Sequence, residues 1–342
     1  MKMNMVRKII VVIALLMFAH LTIRRAVMRA DDAAAVKAAV NKSLPLLQSS
    51  SSAFLKNASC VSCHSQSLGA LTFALARERG FRVDERVVRE ATEATLSRWA
   101  KSRERALQGQ EMDAQIEGGY ALWALAANGY RESKTTDGLV IHLAGKQAPD
   151  GRWRATSYRP PLEYSDFTAT ALTLRGLKQF APAGRAEEIN NRVKLAQTWL
   201  LNATPKTNEE RVYRLLGLRW SAADEQVVTR AADELLSRQR ADGGWSQLDT
   251  LGSDAYATGQ ALFSLHEAAG LSTSSPVYRR GIGFLLRTQL GDGSWLVKSR
   301  SFPVIPHVDS GFPHDKNQFI SAAGSSWATM ALVMTLKPQP HL

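Results

Sequence analysis

Three short segments of this 342-residue chain carry one pattern at identical offsets, Gln-x-x-Asp-Gly-x-Trp. They comprise Gln147, Asp150, Gly151 and Trp153, then Gln239, Asp242, Gly243 and Trp245, then Gln289, Asp292, Gly293 and Trp295. Successive copies start 92 and 50 residues apart. A unit of about 46 to 50 residues fits if one copy, near Ala196 to Trp220, has lost its signature, and recurrence on that scale marks stacked supersecondary units. The residue types suit a helix-to-helix turn. Asp-Gly supplies a reversal with positive φ at Gly, the Gln amide can bond helix-end backbone groups, and the Trp ring packs on a neighbouring repeat.

The segments between the motifs read as helices. Small-residue stretches with apolar positions at helical spacing run from Thr168 to Leu177, Ala257 to Leu265 and Ser325 to Leu336, with a related one from Gly119 to Asn128. Their Ala and Gly content suits close-packed inner helices. More charged stretches, Glu93 to Leu107 and Asp224 to Arg238, suit outer ones. Alternating β-branched runs are nearly absent, so the expected class is all-α, built of stacked helical repeats.

These repeats resemble those of the squalene-hopene and oxidosqualene cyclases and, more widely, the protein prenyltransferases. The resemblance covers roughly Arg89 to Leu336 and implies a toroid or partial barrel of paired inner and outer helices in about five or six repeats, around an apolar cavity that takes a terpenoid-like ligand. It also implies an acid. Cyclases of that family use Asp-x-Asp-Asp followed by Thr-Ala, and the matching stretch here is Tyr164-Ser165-Asp166-Phe167-Thr168-Ala169. Asp166 keeps the middle acid, while both flanking acids are replaced. A parallel stretch from Ser253 to Tyr256 keeps Asp254 alone. The alternative for Asp166 and Asp254 is capping of inner-helix N-termini. The zinc of the prenyltransferases calls for a ring cysteine, and none remains.

The two cysteines of the chain, Cys60 and Cys63, stand directly before His64. Cys-x-x-Cys-His is the pattern of c-type haem attachment, in which the thiols add to the haem vinyl groups and the imidazole ligates the iron. A disulfide, a zinc site lacking one ligand, and a thioredoxin-like pair without its βαβ setting are the alternatives. Candidates for the sixth iron ligand are Met112, His142, His266, His307 and His314, or the position stays open. A helix from about Gln66 to Arg79 follows and ends at Gly80.

Covalent haem attachment takes place outside the bacterial cytoplasm, and the N-terminus agrees with export. Lys2, Arg7 and Lys8 precede an apolar run from Ile9 to Ala19, too short to span a bilayer comfortably. Three parts are therefore expected: a signal peptide or short anchor over 1–30, a haem-attachment helical segment over 31–88, and the toroid over 89–342. The expected location is the periplasm or cell envelope, with membrane association if the anchor is retained. The formal net charge is +12, but basic and acidic residues are interspersed, which speaks against a nucleic-acid partner.

Between the last motif and the last helix, Ser301 to Gln318 holds His307, Asp309, His314 and Asp315, side chains suited to a metal or to an approach to the haem. Three functions compete. The first is a haem-bearing toroid in electron transfer or sensing, with a redox partner protein. The second is a non-catalytic module binding a hydrophobe or glycan. The third is a terpene cyclase-like isomerase with Asp166 as general acid.

Overall fold

The computed structural model describes residues 30–58, 64–111, 114–302 and 308–339. Cys60, Cys63, Met112, His307 and all but Ala30 of the expected signal or anchor over 1–30 lie outside the described residues. Among the described residues the regular structure is helical: α1 Ala30–Asn57, α2 His64–Glu78, α3 Glu85–Lys101, α4 Arg103–Leu107, α5 Ala114–Ala127, α6 Lys134–Gly145, α7 Asp166–Gln179, α8 Ala186–Asn202, α9 Asn208–Trp220, α10 Glu225–Leu236, α11 Ala255–Ala269, α12 Pro276–Thr288 and α13 Gln318–Val333.

The helices begin where side chains satisfy the first free backbone N–H groups. Asp84, Asp224, Asp254 and Ser275 cap α3, α10, α11 and α12, and Pro276 occupies the first turn of α12. Ser133 with Thr136 and Thr207 with Glu210 form reciprocal capping boxes at α6 and α9. Asp254 thus has the capping role expected of it, its Oδ1 accepting from Ala257 N at 2.9 Å. At α7 the cap is Ser165 instead, accepting from Phe167 N at 3.1 Å.

Packing order defines the architecture. Helices α2, α5, α7, α9, α11 and α13 each pack on the next, and α13 packs back on α2, so the inner ring closes. Outer helices α1, α3 with α4, α6, α8, α10 and α12 alternate with them in the chain. Among the described residues the toroid has six pairs. Helices α1 and α2, from the stretch 31–88, supply its first outer and first inner helix, so the ring starts upstream of Arg89. Inner helices approach closely where side chains are absent; a Cβ on Gly259 of α11 would lie 2.5 Å from the Trp327 carbonyl carbon of α13.

The three motifs are outer-to-inner turns, and each joins three helices. The buried Trp153, Trp245 and Trp295 donate through Nε1 to carbonyls of their own outer helices, Leu143, Leu235 and Leu285, at 2.6, 2.9 and 2.8 Å. Their backbone N–H groups donate to inner-helix hydroxyls of Thr170, Thr258 and Ser325. The Gln amides donate to the next outer helix, at Arg192, Val277 and Ala39. Gly151, Gly243 and Gly293 have φ of +96°, +91° and +91°. A Cβ at these positions would meet the carbonyl groups of Leu195, Arg280 and Lys42 at 2.3 to 2.6 Å. The pattern is therefore the fastening between neighbouring pairs. The α8–α9 turn, residues 203–207, lacks it, which is the lost copy expected near Ala196 to Trp220.

Candidate functional site

Because every inner helix follows an outer one, the six inner N-termini lie at one end of the ring. That rim collects His64 at the start of α2, Asp166 at the start of α7, Glu209 in the first turn of α9, Asp254 capping α11 and Gln318 at the start of α13. In the sequence, Cys60 and Cys63 fall between α1 and α2, as the Gln-x-x-Asp-Gly-x-Trp motifs fall between the outer and inner helices of three other pairs. Two later residues lie beside the end of α1: Asn57 Nδ2 donates to the Asp309 carbonyl at 2.8 Å, and Phe54 meets Phe319 edge-on at 6.0 Å.

From the rim inward, the ring axis is layered. In the first layer Glu209, 2% exposed, accepts from Tyr256 Oη at 2.7 Å and from Thr168 Oγ1 at 3.1 Å. Burial pushes its carboxyl up to about 7, against the contacts from Tyr256, Gln260 and Thr168 and the charge of Arg300. Asp254 is likewise raised by burial, to about 6, although Ala257 N and Gln247 Nε2 donate to it. Arg300 reaches the same mouth, its Nε donating to Gln247 Oε1 at 2.8 Å.

Deeper, Tyr120 of α5 and Tyr213 of α9 share a hydroxyl–hydroxyl bond of 2.6 Å, and burial raises both phenols well above their ordinary range. Gln260 stands one turn below Tyr256 on α11 and is fully buried. Next come Trp123, Phe263 and Trp327, with ring centroids 5.2 to 6.2 Å apart. Arg175 ends the series, its guanidinium 5.3 Å from the Trp123 ring and 5.1 Å from Trp220. Burial lowers its pKa. The axis thus grades from a neutral-range acid through phenols to an indole and phenyl floor. Such an acid can hold or release a proton near neutrality.

The structure places the expected site residues differently. Asp166 is outside this network: its Oδ1 accepts from Ala155 N at 2.8 Å, its Oδ2 pairs with Arg152 at 3.3 Å, and its side chain is 31% exposed. Instead, Thr168, from the Thr-Ala pair that follows it, reaches the carboxyl of the neighbouring helix. His142 is buried on outer helix α6, its Nδ1 2.9 Å from the Ala106 carbonyl. His266 lies in the last turn of α11, at the end of the ring away from His64. His314 Nε2 is 2.8 Å from Ser294 Oγ. No group of three or more His, Cys, Asp or Glu suited to a metal ion occurs among the described residues, so Asp309, His314 and Asp315 form none. Among the same residues no helix is long and apolar enough to cross a membrane.

Glu209, Tyr256, Gln260, Tyr120 and Tyr213 were not expected from sequence. Glu209 falls in the repeat that has lost its motif, and a lone acid in the first turn of a helix reads as a helix-dipole partner.

No family model and no curated protein matches the sequence. Among solved structures, an aspartate-to-asparagine variant of the type II terpene cyclase MstE from Scytonema, in complex with geranylgeranyl dihydroxybenzoate, is 16% identical with a TM-score of 0.58, covering 90% of this chain and 100% of its own. A protein from Actinoplanes is 14% identical at a TM-score of 0.58, with 88% and 99% covered. A glycosidase in complex with glucose is 11% identical at 0.57, with 87% and 98% covered. At these identities the likeness is one of fold: this chain has the α–α toroid that cyclase and glycosidase share.

Proposed function

We propose that the chain is an exported c-type haem protein built on a terpene cyclase-like toroid, with a redox, electron-transfer or sensing role. The observation that carries this reading is the motif Cys60-Val61-Ser62-Cys63-His64 itself, which in the sequence falls between the first outer helix, α1, and the first inner helix, α2, of which His64 is the first residue. The donor set fits the group, since two thiols three residues apart suit the vinyl carbons and the adjoining imidazole suits the iron. When bound, haem c would supply a one-electron carrier. Cys60 and Cys63 would hold it and His64 would ligate it. His307, two residues before Asp309 in the sequence, would be a sixth-ligand candidate. Export to the periplasm or cell envelope, an N-terminal anchor and a redox partner protein belong to the same reading.

The test is an absorption spectrum with a pyridine haemochrome assay on protein made beside a cytochrome c maturation system. A thioether haemochrome in wild type, lost in Cys60→Ala with Cys63→Ala, is expected; a colourless wild type refutes it.

A second reading rests on the layered axis. The indole and phenyl floor beneath a neutral-range acid suits an apolar ligand with a polar end. It gains support from the Scytonema cyclase, whose complex holds a geranylgeranyl dihydroxybenzoate. On this reading the toroid binds or isomerises a hydrophobe. If it acts as an acid catalyst, the geometry favours Glu209 over Asp166, because Asp166 is ion-paired and partly exposed.

A further inference from the structure

Beside the α8–α9 turn, where the repeat motif is missing, four cations line one cleft. Lys206 belongs to that turn and Arg211 to α9, while Arg238 and Arg240 flank the motif residue Gln239; Asp249 is the one acid lining the cleft with them. The cleft holds about 30 Å³, room for about two or three waters or for one small oxyanion in their place. The turn chemistry does not call for these charges: the motif glutamine stands between Lys146 and Ala148 in the first copy, and between Thr288 and Leu290 in the third. Arg211 is a fixed wall, 8% exposed, donating to Glu234 Oε1 at 2.9 Å and to the carbonyls of Lys206 and Pro205. Glu210 is engaged by the backbone N–H groups of Lys206 and Thr207. The other cations have capacity left. Arg238 donates through Nη1 alone, to the Asp249 carboxylate at 3.1 Å, and Arg240 through Nη2 alone, to the Asp249 carbonyl at 2.9 Å. Their remaining side-chain N–H groups and the Lys206 ammonium have no partner among the described residues.

We propose that this cleft binds a tetrahedral oxyanion: phosphate, or the phosphate group of an ester. Its oxygens accept charge-assisted hydrogen bonds from Arg238, Arg240 and Lys206. A single carboxylate serves Arg238, as Asp249 does, and leaves the Arg240 edge and the Lys206 ammonium unmet; an anion with oxygens on every side serves all three. The Asp249 side chain is 76% exposed, so its ion pair with Arg238 contributes little and yields to the stronger acceptor. Gln247 also lines the cleft and joins it to the mouth of the ring, donating to Asp254 Oδ2 at 3.0 Å and accepting from Arg300 Nε at 2.8 Å. The oxyanion site therefore adjoins the axis, yet it depends neither on a ligand there nor on haem.

Calorimetric titration of the full chain with inorganic phosphate at low ionic strength tests the site. Saturable binding is expected in wild type and should weaken about 10-fold in Lys206→Gln, which removes one hydrogen bond to a charged group. The Lys206 side chain is exposed and makes no bond that the fold needs. Asp249→Asn should act in the opposite direction, binding phosphate about 2- to 5-fold tighter because the competing carboxylate is gone. A loss of structure cannot produce that gain. Butyl phosphate separates the two sources. An affinity no higher than that of phosphate assigns the site to the free ion, and one at least ~10-fold higher assigns it to an ester whose alkyl part packs on the protein. No saturable phosphate binding in wild type, or one affinity shared by wild type, Lys206→Gln and Asp249→Asn, overturns the proposal.

Discussion

Gln289 donates through Nε2 to the carbonyl of Ala39 at 2.9 Å, joining positions 250 residues apart in the chain. The same side chain also donates to Gly293 O at 3.0 Å, so one amide holds its own turn and the first outer helix together. This bond closes the ring between the sixth pair and the first. Gln289→Ala should lower unfolding stability by about 1 to 2 kcal/mol, read from urea denaturation. Hydrogen exchange should rise in α1. An unchanged midpoint would mean that apolar packing alone closes the ring.

Gly293→Ala should cost more than the loss of the amide. The new Cβ would sit 2.6 Å from the Lys42 carbonyl, at a φ of +91°. Backbone on both sides leaves no room to yield, so a loss of about 3 kcal/mol or more is expected. Gly243→Ala should match it, because Arg280 O lies 2.5 Å from the same construction. A thermal shift smaller than that of Gln289→Ala would contradict this.

Stability should fall as pH rises through the acid to neutral range. The Glu209 carboxyl is raised from an ordinary 4.5 to about 7, so in that window the folded chain binds a proton that the unfolded chain has released. The stabilisation is full below pH 4.5 and is lost as pH passes 7. Asp254, raised from 3.8 to about 6, acts in the same direction over its own window. Glu209→Gln should flatten the melting temperature between pH 5 and pH 8, removing a difference on the order of a few kcal/mol. Parallel profiles for variant and wild type would show that Glu209 stays charged.

Asp166→Asn should be nearly silent. The ion pair with Arg152 is partly exposed, and the amide oxygen can still accept from Ala155 N. A loss below about 1 kcal/mol is expected, with the haem spectrum and ligand titrations unchanged. A loss of ligand binding or turnover specific to this variant would return Asp166 to the site.

Much of the ring could be read from the sequence because turn chemistry repeats visibly. Gln, Asp, Gly and Trp each have one job in the outer-to-inner turn, and three copies fixed the spacing of the pairs. The first pairs were harder. The sequence between α1 and α2, and that after Gln108, lacks the motif, so α1 and α2 read as a prelude and not as part of the ring. The long charged stretch from Glu93 to Leu107 breaks at Ser102 into α3 and α4, where no glycine or proline announces it. The axis was harder still. Glu209, Tyr213, Gln260 and Tyr120 come from three different helices, and a closed ring alone brings them together. Asp166, by contrast, stood out by resemblance to a motif, yet its neighbour Arg152 holds it at the surface.

The central claim is that Cys60 and Cys63 carry haem through thioether bonds. Intact-mass spectrometry of denatured protein, exported from a host with the maturation machinery, tests it most directly. The account predicts a mass raised by one haem that survives acid acetone, with the added mass on the peptide spanning Cys60 to His64. A chain of unmodified mass, or one lighter by two hydrogens from a Cys60–Cys63 disulfide, would contradict it.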